Sequence, residues 1–399
     1  MKICAVICEY NPFHTGHSYQ LTKALRRYDA AVCVMSGNFV QRAEPAIVEK
    51  YVRAGVALKN GAAMVVENPF VYATANGEKF AAGAIRTLKN LGQIDALVAG
   101  CETDSPELIS LMADVRYEEN ENFRGVLRSL LDDGNSYAAA LTEATVRESV
   151  NRGADEEKAR ELLASPNNLL CIEYVNAIRR EKLNIKTDFI RRVGDGYNEK
   201  TVRGDYASAT AIRRMLSGGD FTAALPYLTD CGAAVLDEIK TREVDRKLFS
   251  DLALYALKRA TVSEIARTPD CREGLDKKIY EMAKMATDLE SLLTAVKSKR
   301  YTMARLKRVV LQLLFGVTSD FVGECDKREL PARVLAIRED FKPMLAYCKN
   351  TVLRSSDLDA FTGEFYERYF EAERKASALY AQITRNPTDL FYPQKLVTL

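Results

Sequence analysis

Short apolar runs alternate with amphipathic stretches over the first hundred residues. Ile3 to Cys8 (ICAVIC), Ala30 to Met35 (AAVCVM), Ala63 to Glu67 (AMVVE) and Ala96 to Ala99 (ALVA) are apolar with hardly a polar position. Runs of this length predict strands buried on both faces. Between them, Gly16 to Tyr28, Pro45 to Asn60 and Glu78 to Leu91 predict helices, with core spacing such as Leu21, Ala24 and Leu25. Strands separated by helices require a parallel sheet with right-handed crossovers, an α/β class of fold. In such sheets ligands bind beyond the carboxyl ends of the strands. Residues 105–165 read as charged helices forming an insertion, and Lys186 to Arg192 (KTDFIRR) as a fifth strand. The glycine-rich Gly194-Asp195-Gly196 follows, and Ser208 to Leu216 opens another helix. Near Pro226 the character changes. Residues 233–382 read as mostly helix, and Asn386 to Leu399 as a surface tail holding two prolines. The expected division is therefore 1–225, carrying the sheet, and 226–399, mainly α-helical.

Composition narrows the picture. A length of 399 residues suggests two or three domains at roughly 150 residues each. Apolar residues make up 47% and charged residues 28%, ordinary for a soluble globular chain. With 57 Lys+Arg against 55 Asp+Glu, the net charge of +2 excludes a polycation but leaves room for a local basic patch. No apolar run is long enough to span a membrane. The N-terminus meets Glu9 and Asn11 too early for a secretory signal, so a cytoplasmic address is expected. Nine scattered cysteines without a CxxC argue for buried thiols rather than a disulfide framework or a zinc site, and no metal ligands are assigned. Only two histidines occur, and both lie in His14-Thr15-Gly16-His17.

That string leaves the first strand and enters a helix. Exposed amides and the helix dipole favour phosphate there. Gly16 removes a side chain where a nucleotide could approach the backbone. Two imidazoles about one turn apart can both donate to one phosphate while charge builds on it during displacement of pyrophosphate. The plainer alternative makes His14 a loop residue and His17 a satisfied helix-face residue. Two histidines in this string, with none elsewhere, favour the functional reading.

HxGH is a signature of the adenylyl-transferring superfamily that includes class I aminoacyl-tRNA synthetases and small nucleotidyltransferases. The strings EYNPFHTGH, MSGNFVQRAEPAIVEKYVRA, SPNNLLCIEY, SATAIRR and KSKRYTMARLKR follow in this order. Together they resemble the bacterial tRNA(Met) cytidine acetate ligase family, from Met1 to about Phe315. The resemblance implies a Rossmann-like (HUP-type) domain followed by a mainly helical one with a tRNA-binding role. It implies activation of acetate by ATP as acetyl-adenylate, then transfer to N4 of the wobble cytidine of elongator tRNA(Met), giving N4-acetylcytidine. ATP would be held by the segment Ile7, Cys8, Glu9, Tyr10, Asn11, Pro12, Phe13, His14, Thr15, Gly16, His17, Ser18, Tyr19 and Gln20. Gly100, Asn167 or Asn168, and Arg191 or Arg192 would complete its site. Ser208 and Arg213 occupy the place of the superfamily's second phosphate motif. Magnesium would accompany ATP, bound through its phosphates with few protein ligands. Adenylation needs charge stabilisation and alignment more than proton transfer, which assigns His14, His17 and Arg42 to the chemistry.

The remaining strings each have a plain reading beside the functional one. Ser36-Gly37-Asn38 with Gln41-Arg42 and Glu44-Pro45 is either a strand-to-helix loop, with Pro45 opening the helix, or a substrate loop with Arg42 near acetate or phosphate. Ala43 stands where the family suggests glycine, Cys101 where it suggests serine, and Asn198 where it suggests histidine. Ser165-Pro166 reads as a helix cap, but the paired Asn167 and Asn168 suit a purine edge. The basic segment carries Lys297, Lys299, Arg300, Tyr301, Arg305 and Arg308. A charge run usually means a solvated face. One sign of charge with an interleaved ring suits RNA phosphates and a stacked, unpaired base, and Arg179, Arg180 and Lys182 would extend the patch. Two other readings stand beside the ligase: a nucleotidyltransferase adenylylating a small cofactor precursor, and an idle RNA-binding protein on the same scaffold.

Overall fold

The computed structural model describes residues 1–103, 105–192, 206–387, 391 and 396–399. The expected loop at Gly194-Asp195-Gly196 and the position of Asn198 lie outside these residues.

Five parallel strands form the expected sheet: β1 (Ile3–Cys8), β2 (Ala30–Ser36), β3 (Met64–Asn68), β4 (Ala96–Cys101) and β5 (Lys186–Arg191). They lie side by side in the order β3-β2-β1-β4-β5. Their apolar runs are continuous because both faces are covered. Along β1 and β2, Ile3, Ala5, Val32 and Val34 enter one core, while Cys4, Val6, Cys33 and Met35 enter the other. Helices α1 (Thr15–Leu25) and α2 (Lys50–Lys59) cover the second face. Helices α3 (Gly77–Lys89) and α4 (Pro166–Arg180) cover the first. Strand order reverses between β1 and β4, so a crevice opens where the loops after those two strands diverge. Four helices, at Pro106–Glu118, Glu121–Asp132, Tyr137–Asn151 and Glu156–Ala164, separate β4 from α4.

Two elements differ from expectation. The helix expected from Pro45 begins instead at Lys50, capped by Glu49, whose carboxylate accepts from the amides of Tyr51 and Val52. Pro45 lies in a short hairpin, paired with Phe39. Ala43 makes its turn at φ +56°, a backbone region more comfortable for glycine. The later half also returns to the sheet. Strand β6 (Ala332–Ile337) pairs antiparallel with β3, and β7 (Val397–Thr398) pairs with β6. The sheet thus takes strands from both sides of residue 225. All six residues of β6 are buried, which explains why ARVLAI extends here despite the helices around it.

Apart from Thr351–Val352, a short strand parallel to β6, the other described regular elements of the later half are helical. Helix α5 (Ala209–Ser217) packs on the second face of the sheet. Helices Arg246–Arg259, Leu275–Met285, Leu289–Val296 and α6 (Met303–Phe315) share a core of their own. The other side of α6 joins Phe39 and Phe70 in a separate core with α7 (Glu364–Ile383).

Candidate active site

The loop after β1 is held rigid by its neighbours. Asn11 accepts from the Ile47 amide at 2.9 Å, and Glu9 accepts from the Gln41 amide at 2.7 Å. Arg53, fully buried, donates to the carbonyls of Val48, Glu9, Ser36 and Gly37. One guanidinium thus ties together the turns that leave β1 and β2. Sequence reading passed over Arg53; its only signal was a charge inside an apolar helical run.

His14 caps α1: its Nδ1 accepts from the Gly16 amide at 3.1 Å. An accepting Nδ1 requires the proton on Nε2, so the cap sets the tautomer. Gly16 serves this cap directly, since a Cβ there would meet the His14 ring at 2.9 Å. The His17 ring lies 3.7 Å from that of His14, centroid to centroid, with Tyr10 and Phe13 edge-on or tilted against it. Its Nδ1 is buried without a hydrogen-bond partner among the described residues. Burial, then the nearby Arg192 and Arg213, lowers the His14 pKa to about 3. Burial, then His14 and Arg192, lowers that of His17 well below the usual imidazole value. Both rings are therefore neutral near pH 7 and can donate an N–H without carrying a charge.

Around them opens a cleft of about 170 Å³, at the carboxyl ends of β1 and β4. Ile7, Cys8, Glu9, Tyr10, Asn11, His14, His17, Gln20, Arg42, Gly100, Asn167, Arg192, Ser208 and Arg213 all line it. Gly16, Tyr19 and Arg191 line a smaller recess beside it. Thr15 and Ser18 line neither, and Pro12 and Phe13 are buried behind the histidines. A Cβ at Gly100 would touch the Arg192 side chain at 3.3 Å. Arg213 donates to the Asn11 carbonyl at 2.7 Å, which joins α5 to the histidine loop. Ser208 caps α5 while also facing the cleft.

The two asparagines take different places, as do the two arginines. Asn168 is buried, accepting from the Glu102 amide at 2.8 Å and donating to Thr103 and Leu162. It fastens the loop after β4. Asn167 donates to Glu102 at 2.6 Å and faces the cleft. Arg192 likewise faces the cleft, whereas Arg191 reaches only the recess. Phe80, Leu170 and Tyr174, from α3 and α4, form an apolar wall that sequence reading missed, because they look like ordinary core positions.

The basic segment is a correction in part. Tyr301 is 9% exposed, sits in the helical core, and donates through its hydroxyl to the Glu273 carbonyl at 2.5 Å. It offers no face for a stacked base. Arg305 donates to the Asp270 carbonyl at 2.8 Å and pairs with Glu273, and Arg308 pairs with Asp270. Lys297, Lys299 and Arg300 are exposed. Arg179 pairs with Asp114, and Arg180 with Glu78.

Comparison with known proteins identifies the family. The family model described as HIGH Nucleotidyl Transferase matches residues 1–392. A tRNA(Met) cytidine acetate ligase from Acetivibrio thermocellus is 33% identical, over 97% of this chain and 96% of its own. One from Caldanaerobacter subterraneus subsp. tengcongensis is 34% identical, over 98% and 99%. Among solved structures, Thermotoga maritima TmcAL in its apo form superposes with a TM-score of 0.94 at 28% identity, covering 100% of both chains. The same protein bound with alpha-thio ATP gives 0.91 at 27%, again over 100% of both.

Proposed function

The chain belongs to the HIGH nucleotidyl transferases and, within them, to the tRNA(Met) cytidine acetate ligases, and from that premise we propose the following chemistry for it. It is an ATP-dependent ligase that joins acetate to the N4 amine of the wobble cytidine of elongator tRNA(Met), through acetyl-adenylate. The observation that carries this reading is the convergence of both histidines, Gly100, Asn167, Arg192 and Arg213 on one cleft at the switch point of the sheet.

Acetate is a poor acyl donor, and adenylation exchanges an oxide leaving group for AMP. The neutral Nε2–H of His14 and the ring of His17 donate to the α-phosphate as charge grows on it, with no prior charge on the imidazoles to solvate. Arg192 and Arg213 supply the fixed positive charge for the departing pyrophosphate, and Arg42 aligns the acetate carboxylate. Gly100 and Asn167 hold the nucleoside. Among the described residues no group of three or more His, Cys, Asp or Glu side chains could hold a metal ion. Magnesium in this scheme is carried on the nucleotide's phosphates, where it offsets their charge. Lys297, Lys299 and Arg300 are the exposed cations we assign to tRNA phosphates. The setting is the cytoplasm; no helix among the described residues is long and apolar enough to cross a membrane.

Incubating the protein with acetate and ATP, and following the products by mass spectrometry, tests this reading. Acetyl-AMP and pyrophosphate should form, and added elongator tRNA(Met) should gain N4-acetylcytidine. Pyrophosphate release that depends on a phosphorylated small molecule instead of acetate would overturn it in favour of a cofactor-precursor adenylyltransferase.

A further inference from the structure

The cytosine N4 amine is a weak nucleophile, because its lone pair is delocalised into the ring. Its acidity rises as the nitrogen bonds to a carbonyl carbon, so a proton must leave during the attack. A base within hydrogen-bond reach typically contributes 10²–10⁴-fold to such a step. Few described side chains in the cleft can serve. The Nδ1 lone pair of His14 is already used by the Gly16 amide. His17 lies stacked on His14 among aromatic rings, where a positive charge is strongly disfavoured.

Glu9 is the one carboxylate among the described residues that line the cleft. It sits on the first residue past β1, at the rim shared with Arg42. Its Oε1 accepts the Gln41 amide at 2.7 Å, and Arg53 grips its backbone carbonyl. The main chain and one oxygen are thereby fixed, which leaves Oε2 to take a proton. Three guanidinium groups bear on it: Arg42 from the loop after β2, Arg53 from α2 and Arg213 from α5. They favour the carboxylate, but burial outweighs them and lifts its pKa above the usual range. The phenol of Tyr174, from α4, lies close enough to sense the same charge. A carboxylate made more basic than a solvated one by its surroundings is suited to this task.

We propose that Glu9 is the base that takes the N4 proton of the tRNA cytosine during acetyl transfer, an assignment that rests on the ligase reading above. The N4 lone pair forms a bond to the acetyl carbonyl carbon, and the bond from that carbon to the phosphate oxygen breaks. AMP leaves with the electron pair, and one N4 proton moves to Oε2 of Glu9 and then to solvent. The step consumes no oxidant or reductant.

Supplying synthetic acetyl-adenylate with an elongator tRNA(Met) transcript isolates this step, while acetate-dependent exchange of pyrophosphate into ATP reports the first one. In Glu9→Gln, which keeps an acceptor for the Gln41 amide, transfer should fall at least tenfold further than exchange does. The transfer rate of the unaltered protein should rise tenfold per pH unit below the carboxyl pKa and then level. That limb should vanish in Glu9→Gln and return, at a lower rate, in Glu9→Asp. Transfer at an undiminished rate in Glu9→Gln would overturn the assignment and leave the proton to the adenylate phosphate or water. Equal loss of both steps in Glu9→Gln and Glu9→Asp would overturn it too, reducing Glu9 to a positioning residue for the loop. If the unaltered protein itself moves no acetyl group from acetyl-adenylate to tRNA, the ligase reading fails, and this assignment with it.

Discussion

The histidine loop and the segment from Lys297 to Arg308 present a useful contrast. Each is a short string crowded with nitrogen-bearing side chains, and each leads into a helix. In the first, the side chains of Glu9 and Asn11 accept amides of neighbouring loops, Phe13 joins the core, and both histidines line a cleft. In the second, Tyr301, Arg305 and Arg308 are turned back onto the loop at Asp270–Glu273 and hold the helical core together. The difference lies in position. Polar side chains beyond a strand's carboxyl end at a switch point border a crevice, so their polarity is left for a ligand. Side chains on a bundle helix have acidic neighbours within reach, and intramolecular partners compete for them.

The contrast can be attacked from its strongest side first. Replacing His17 with Ala should slow acetyl-AMP formation about 10²–10³-fold, the usual cost of one preorganised donor; a loss below tenfold would place the histidines among ordinary packing residues. Asn168→Ala should cost about 2 kcal/mol of stability by leaving the Glu102 amide and its neighbours unpaired, read as a lower Tm. Asn167→Ala should instead raise the Kd for ATP with little change in Tm. The double change Lys299→Ala/Arg300→Ala should weaken tRNA binding about tenfold and reduce its salt slope by about two, measured by filter binding at several salt concentrations. Tyr301→Phe should lose about 1 kcal/mol of stability in urea melts while tRNA affinity holds within twofold; a large affinity loss would return the ring to the RNA surface. Smallest of all, Ala43→Gly should raise stability by about 0.5–1 kcal/mol by relieving the left-handed turn in the substrate loop.

Strands β1 to β4 were legible because a strand buried on both faces writes itself as an unbroken apolar run. The histidine string and Gly100 stood out because they follow those strands directly, and because two histidines in one string are conspicuous, whereas Asn167, Arg192, Ser208 and Arg213 were pointed to by the family resemblance alone. What escaped was long-range pairing. The buried Lys50 meets Glu67 at 2.9 Å, and Glu67 also approaches Arg333 at 3.7 Å. No spacing rule connects α2 with β6, so three buried charges look alike until the chain folds. Helix α2 starts late for a related reason: Glu49 reads as a solvated acid, yet it is buried and satisfies two amides. Tyr301 was misjudged because a ring between cations carries no mark of which way it will turn. Asn167 and Asn168 could not be told apart until the loop after β4 showed which amide it consumes.

The antiparallel strand Ala332–Ile337 has a practical consequence. A gene fragment ending near residue 225 would encode every described residue that lines the cleft, yet it would strip the outer side of Met64–Asn68 of its hydrogen-bonding neighbour. Such a bare, apolar margin invites another copy to dock along it, so the shortened polypeptide should come out of cells as aggregate. Excising the nucleotide-handling portion for biotechnology therefore demands that this distant ribbon be grafted back or its place be taken by charge.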